Sequence, residues 1–298
     1  MTLEVLPATI ETDYRIVAKD IGLVYKIKSV KKKEGKKTLI ALENVNLEVG
    51  KGEFFSLVGP SGCGKSTFLY ILAGLIKKSA GAIYINGREI IGPDLDRGII
   101  MQQYALFPWR TIRKNVEFGL EVKGVKKKER EKLAREFIEL VGLSEFTDRY
   151  PNELSGGMKQ RVAIARSLAY DPDVLLMDEP FAAVDEQTRE KLHDELLRIW
   201  EKTRKTIIFV THSIDEAVFL ADRVAVMTSS PGTIKGIITI DIDRPRESGQ
   251  VKSTQAFSVL RHRVWELLQN KDLGYDDEAA RQKPALDLSE VVADDAAL

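Results

Sequence analysis

The 298-residue sequence contains a single cysteine, Cys63, which excludes an internal disulfide and any cysteine-based zinc cluster and fits a reducing compartment. It has no excess of charge of one sign, since 45 Lys and Arg residues balance 45 Asp and Glu. That balance removes the broad basic footprint expected of a nucleic-acid or anionic-membrane binder, so any such contact has to be local. No apolar run approaches the ~20 residues needed to span a bilayer. The opening stretch, MTLEVLPATIETDYRI, lacks the charged-then-apolar order of a signal peptide. These absences predict a soluble, cytoplasmic chain. Its length suits one large domain or two modest ones with a substantial core.

Residues 1–13 carry no period and read as a flexible tail. RIVAKDIGLVYKI and LIALENVNLEV alternate or cluster apolar and β-branched residues as strands do, and the lysine-rich KIKSVKKKEGKK between them reads as a solvated loop. GEFFSLVG is a buried strand that runs into a glycine-rich loop, and STFLYILAGL after it has helical spacing. GAIYINGREI predicts a strand with an Asn-Gly turn, and GIIMQQYALFPW a strand that breaks into an aromatic loop. Residues 104–170 then read as a helical block, with Leu133, Phe137, Leu140 and Val141 on one stripe. DVLLMDEP and TIIFVTHS are short apolar runs of the kind found in a parallel sheet covered on both faces, separated by the helix TREKLHDELLRIWEKT, where His193 reads as a surface residue. RVAVMTSSPGTIKGIITIDI predicts a hairpin turning at Pro231-Gly232, VLRHRVWELLQ an amphipathic helix, and the chain from Lys271 an acidic tail.

The chemistry concentrates at four places. GPSGCGKST fits G-x-x-x-x-G-K-[ST] in the required setting of preceding strand and following helix. The loop of Gly59, Pro60, Ser61, Gly62, Cys63 and Gly64 would turn its backbone N–H groups, which all but Pro60 supply, around phosphate oxygens. Lys65 would reach the β- and γ-phosphates, Ser66 would supply a Mg²⁺ ligand, and Thr67 completes the pattern. Cys63, at a variable position, reads as a packing residue. Asp178 and Glu179 end an apolar strand, at the edge where open α/β sheets bind ligands: Asp178 to hold Mg²⁺, Glu179 to act as general base. His212 repeats that placement at the end of another strand. Ser155, Gly156, Gly157 and Met158 open a helix whose free N–H groups make a second anion site without a lysine of its own.

That last segment, LSGGMKQR, resembles the signature motif of the ABC (ATP-binding cassette) ATPases, usually written LSGGQ, with Met158 in the final place. The resemblance covers residues 14–245. It implies an α/β P-loop NTPase of ABC type: a mostly parallel central sheet, an antiparallel β subdomain and an inserted helical subdomain at about 104–170, with 246–298 left as a C-terminal helix and acidic tail. It implies ATP and Mg²⁺ as cofactors. It carries over Gln102 as the glutamine linking Mg²⁺ and the attacking water to the helical block, with Gln103 the rival, and YALFPW as the loop that senses a membrane partner. Tyr25 resembles the aromatic that stacks on adenine, although a tyrosine packed in the core fits the pattern nearly as well. Asp185 resembles the aspartate of the loop between subunits, with Ala182 and Val184 in place of the usual Gly and Leu.

The family's working unit is a pair of cassettes holding ATP between one P-loop and the other's signature. The expected partners are therefore a second ABC ATPase subunit, identical or paralogous, separate membrane permease subunits and an extracytoplasmic solute-binding protein, at the cytoplasmic face of the membrane, with no nucleic acid. The phrasing LFPWRTIRKNVEFGL, EPFAAVDEQTRE and THSIDEAVFLADRVAVM resembles importers of nitrate, sulfonate, taurine and bicarbonate. A soluble mechanochemical ABC ATPase working on nucleic acid or ribosomes is the alternative.

Overall fold

Alternating and continuous apolar patterns build two different sheets. The structure, a computed structural model, describes residues 9–27, 37–182, 184–228 and 231–269. Strands β1 (Tyr14–Ile27) and β2 (Lys37–Gly50) pair antiparallel with bulges that place Asp20 and Asn44 at positive φ, and Asn46 bonds both side chains. The lysine-rich loop between the two strands lies outside the described residues at 28–36. β3 (Phe54–Val58), buried at every position, starts the second sheet and feeds α1 (Lys65–Leu72). β4 (Ala80–Ile85) and β5 (Arg88–Glu89) then return to the first sheet through a turn with both Asn86 and Gly87 at positive φ, as the Asn-Gly pair requires.

β6 (Arg97–Ile100) leads out of the sheet into the helical block of α2 (Ile112–Val122), α3 (Lys127–Leu140) and α4 (Gly156–Ala169). Among the described residues that block has no strand. On α3 the fully buried positions are Ala134 and Ile138, with Val141 just beyond. Leu133, Phe137 and Leu140 pack at the margin, so the stripe sits one residue later than its large side chains suggest. β7 (Val174–Asp178), α5 (Glu186–Thr203), β8 (Thr206–Thr211), α6 (Ile214–Leu220), β9 (Arg223–Met227) and β10 (Ile234–Thr239) complete the main sheet in the order β10-β9-β3-β8-β7-β6. Every neighbouring pair from β9 to β6 is parallel, and β10 is an antiparallel edge on β9. The uninterrupted burial of β3, β7 and β8 follows from helices on one face and the antiparallel sheet with α1 on the other.

Two expectations are corrected, and a third element finds its place. The N-terminal stretch is tied down from Thr9, which bridges Arg88, while Ile10 donates to Gly87 O at 2.7 Å. The amphipathic helix expected after 245 is present and joins the core. Arg246 is buried, and after the short α7 (Ser248–Val251) helix α8 (Gln255–Gln269) sends Phe257, Leu260 and Val264 into the core that holds Phe54 and Trp200. His193 lies inside, 1% exposed, because α5 is covered by α6 and by Phe181. The acidic tail from Lys271 lies outside the described residues.

Candidate active site

The parallel strands deliver their ends to one edge, and the candidate residues gather there. β3 opens into the glycine-rich loop, whose helix α1 begins at Lys65. Gly64 has φ 100°, a conformation that favours glycine, and a Cβ there would also displace the Leu42 side chain, whose Cδ2 would lie at 2.6 Å. Lys65, 5% exposed, donates from Nζ to the carbonyls of Gly59 (2.8 Å) and Pro60 (3.0 Å), spanning the loop and holding it curved around its own ammonium group. Cys63 is buried in the core beneath, the packing role expected of it.

β7 brings Asp178 against this helix. Ser66 Oγ donates to Asp178 Oδ1 at 2.8 Å, and Tyr70 Oη donates to Oδ2 at 2.9 Å. Burial, reinforced by the Asp178 carboxylate, pushes the Tyr70 hydroxyl up to about 12, so it remains a donor at neutral pH. Sequence reasoning passed over Tyr70. Its signal was there, since a residue four after Ser66 shares that residue's helical face.

Glu179 follows with φ 44°, a strained conformation for a non-glycine residue, held by its N–H on Val210 O at 3.0 Å. Its Oε2 lies 3.3 Å from His212 Nδ1 at the end of β8. A cavity of about 290 Å³ is lined by Glu179, the loop from Ser61 to Thr67 and Tyr25. Tyr25 is 40% exposed at this rim and not packed in the core.

Other expected residues stand apart. Gln102 and Gln103 are exposed in the turn after β6, beside the β7 end but outside the cavity lining. The chain then takes positive φ at Tyr104 and Ala105, whose carbonyls accept from Arg166 of α4 at 2.9 and 2.6 Å. Sequence reasoning missed Arg166, which fastens this turn to the helix that opens with the signature. Ser155 caps α4 by accepting from Met158 N, and a Cβ at Gly157 would stand 3.0 Å from Thr188 Cγ2, a tight fit that Thr188 would have to yield to. None of Ser155, Gly156, Gly157 and Met158 lines the P-loop cavity of the same chain. Asp185 caps α5, accepting from Thr188 N at 3.0 Å, which holds its carboxyl below the usual range. The aromatic loop is rigidly presented: Asn115, fully buried, bonds both the N–H and the carbonyl of Phe107, and Arg110 lies over Phe107 and Phe118, leaving Trp109 72% exposed.

The ABC transporter family pattern matches residues 42–182. The uncharacterized ABC transporter ATP-binding protein MJ0412 of Methanocaldococcus jannaschii is 54% identical over 233 residues, 78% of this chain and 86% of that protein. The chain is an ABC transporter ATPase. It binds ATP and couples ATP hydrolysis to transport. The nitrate import ATP-binding protein NrtD of Synechocystis sp. is 51% identical over 211 residues, 71% of this ABC ATPase and 79% of that protein. A solved dimeric cassette, MJ0796 in a post-hydrolysis state bound to ADP and Pi, shares 34% identity with a TM-score of 0.65, over 76% of this ABC ATPase and 100% of that chain. The fold expected from the sequence, a mostly parallel sheet with antiparallel and helical subdomains, is the one observed. Among the described residues no helix is long and apolar enough to cross a membrane.

Proposed function

We propose that this chain powers import of a small oxyanion such as nitrate, working as one of two cassettes beneath separate permease subunits fed by an extracytoplasmic solute-binding protein. The observation that carries the catalytic reading is Glu179, its carboxylate lining the P-loop cavity with His212 against it. Glu179 accepts a proton from the attacking water, and His212 orients Glu179 and the γ-phosphate. Lys65 leaves the Gly59 and Pro60 carbonyls for the phosphates, and Tyr25 stacks on the base.

A hydroxyl and a carboxylate already joined, Ser66 and Asp178, fit a Mg²⁺ ion, which takes one or two protein oxygens and completes its shell with phosphates and water. Ser66 and Asp178, with Gln102 as a further ligand, would hold the ion, whose charge would offset that of the phosphates. Because the signature residues stand outside their own chain's cavity, the second ATP contact comes from another copy or a paralogue, with Asp185 at the seam. Relatedness to a nitrate import protein supports the solute class.

Two tests arise here. Co-expression with a permease of the nitrate-import type is expected to yield a copurifying complex whose hydrolysis exceeds that of the isolated chain. Failure to associate with any membrane subunit, together with stimulation by DNA or ribosomes, would sink this reading in favour of a soluble motor. Tyr70→Phe removes the hydroxyl that pins Asp178 Oδ2, so the Mg²⁺ needed for half-maximal hydrolysis should rise about tenfold. An unchanged Mg²⁺ dependence would reduce Tyr70 to packing.

A further inference from the structure

One buried carboxylate joins elements that the catalytic reading treats as separate. Glu216, on α6, is 8% exposed. Its Oε2 accepts from the Thr211 hydroxyl at 2.5 Å, and Thr211 Oγ1 in turn accepts from Ser213 N at 3.0 Å. The residues on both sides of His212 are thereby fixed to Glu216. Its Oε1 lies 3.2 Å from His193 Nε2 and 3.8 Å from Arg189 Nε, both on α5.

Arg189 also donates to Val184 O at 2.7 Å, next to Asp185, which caps the same helix. The His193 ring meets Phe181, two residues after Glu179, edge to face at 5.0 Å, and the second ring nitrogen of His193 is buried with no hydrogen-bond partner among the described residues. Burial alone would raise the Glu216 carboxyl, but hydrogen bonds from His193 and Thr211 outweigh it and hold it below the usual range. The side chain is therefore an anion accepting from both sides. A carboxylate of this kind, spent on three neighbours in a dry interior, is a poor choice for stability alone, because apolar packing would serve as well.

We propose that Glu216 is a positioning residue that sets His212 against Glu179 and ties it to the loop at Asp185, so that a displacement of that loop at a partner cassette reaches the catalytic pair. The contacts run from Val184 through Arg189 and, separately, from Phe181 through His193 to Glu216, and from Glu216 through Thr211 to His212. The proposal rests on the roles given above to Glu179 and His212. It differs from them in naming residues that never touch nucleotide. Thr211, His193 and Glu216 hold their effect entirely in where they place His212.

The test is a double-mutant cycle in the full-length chain, with hydrolysis resolved into kcat and KM for ATP and with folding followed by thermal unfolding. Thr211→Val cuts the link next to His212 and keeps the side-chain shape. It should lower kcat about 5–30-fold with KM for ATP unchanged, the range that about 1–2 kcal/mol of coupling implies. In a His212→Ala background the same substitution should lower kcat less than twofold, about the limit of independent behaviour.

On the α5 side, His193→Leu should slow kcat comparably. His193→Gln, which keeps an N–H donor for Glu216, should restore most of that rate, a rescue that lost packing alone would not give. Multiplicative effects of Thr211→Val and His212→Ala overturn the proposal while the catalytic reading stands, as does His193→Gln behaving like His193→Leu. A His212→Ala chain that hydrolyses ATP at the wild-type rate overturns the reading of His212 and this proposal with it.

Discussion

Replacing Glu179 with Gln should lower ATP hydrolysis about 10²–10⁴-fold, the range expected when a positioned general base is lost. The amide keeps the size of the carboxylate and can still bond His212, and the strained backbone at φ 44° is held independently by Val210 O. Geometry is therefore preserved and only basicity removed. In the proposed mechanism nucleotide binding rests on Lys65, the P-loop amides and the Ser66–Asp178 pair, none of which the substitution alters. The variant should bind ATP with near wild-type affinity and accumulate as a dimer closed around it, seen as an ATP-dependent shift in size-exclusion chromatography. Phosphate release and oligomeric state, measured on the same preparation, separate the possible results. Hydrolysis at the wild-type rate removes Glu179 as the base. Loss of hydrolysis without a closed dimer retains the base but breaks the two-cassette mechanism.

The site was legible in the sequence where chemistry depends on local order. The P-loop, the Asp178-Glu179 pair and His212 each sit at the end of a short apolar run, and a parallel sheet brings such ends together whatever the strand order. What the sequence could not carry was long-range. Helical spacing puts Tyr70 on the face of Ser66, but nothing local shows that Asp178, 108 residues on, meets that face, nor that Arg166 reaches Ala105 across 61. His193 shows the limit most clearly: charged neighbours such as Asp194 and Lys191 make its helix look solvated, yet the face bearing His193 and Leu196 is roofed by α6. The helix after 245 was legible as amphipathic, while the core that it joins was not. A motif-defined domain ends with its last motif, whereas the hydrophobic core ends with its last buried side chain, here in α8.

Arg246 stands just past that boundary, and Arg246→Met should cost about 3–5 kcal/mol of folding stability. The guanidinium donates to Phe219 O at 3.0 Å and Ala221 O at 2.8 Å, closing the C-terminal end of α6, and to Ile242 O at 2.9 Å in the segment after β10. Burial, with Arg244 close by, pulls its pKa down to about 10, which leaves it charged at neutral pH. Methionine preserves the apolar stem but leaves these carbonyls buried without donors, each worth about 1–3 kcal/mol, partly recovered by relaxation. Arg244 cannot stand in, since it is engaged with Asp222, Leu220 O and the Trp200 ring. Urea unfolding should show a lower midpoint at unchanged slope. A loss under 1 kcal/mol would mean that water enters and satisfies the carbonyls. The expected loss would fall on α6 first, and α6 carries Glu216, so hydrolysis in the folded variant should weaken before nucleotide binding does. Equal loss of both would place the damage in the whole sheet and not in the helix behind His212.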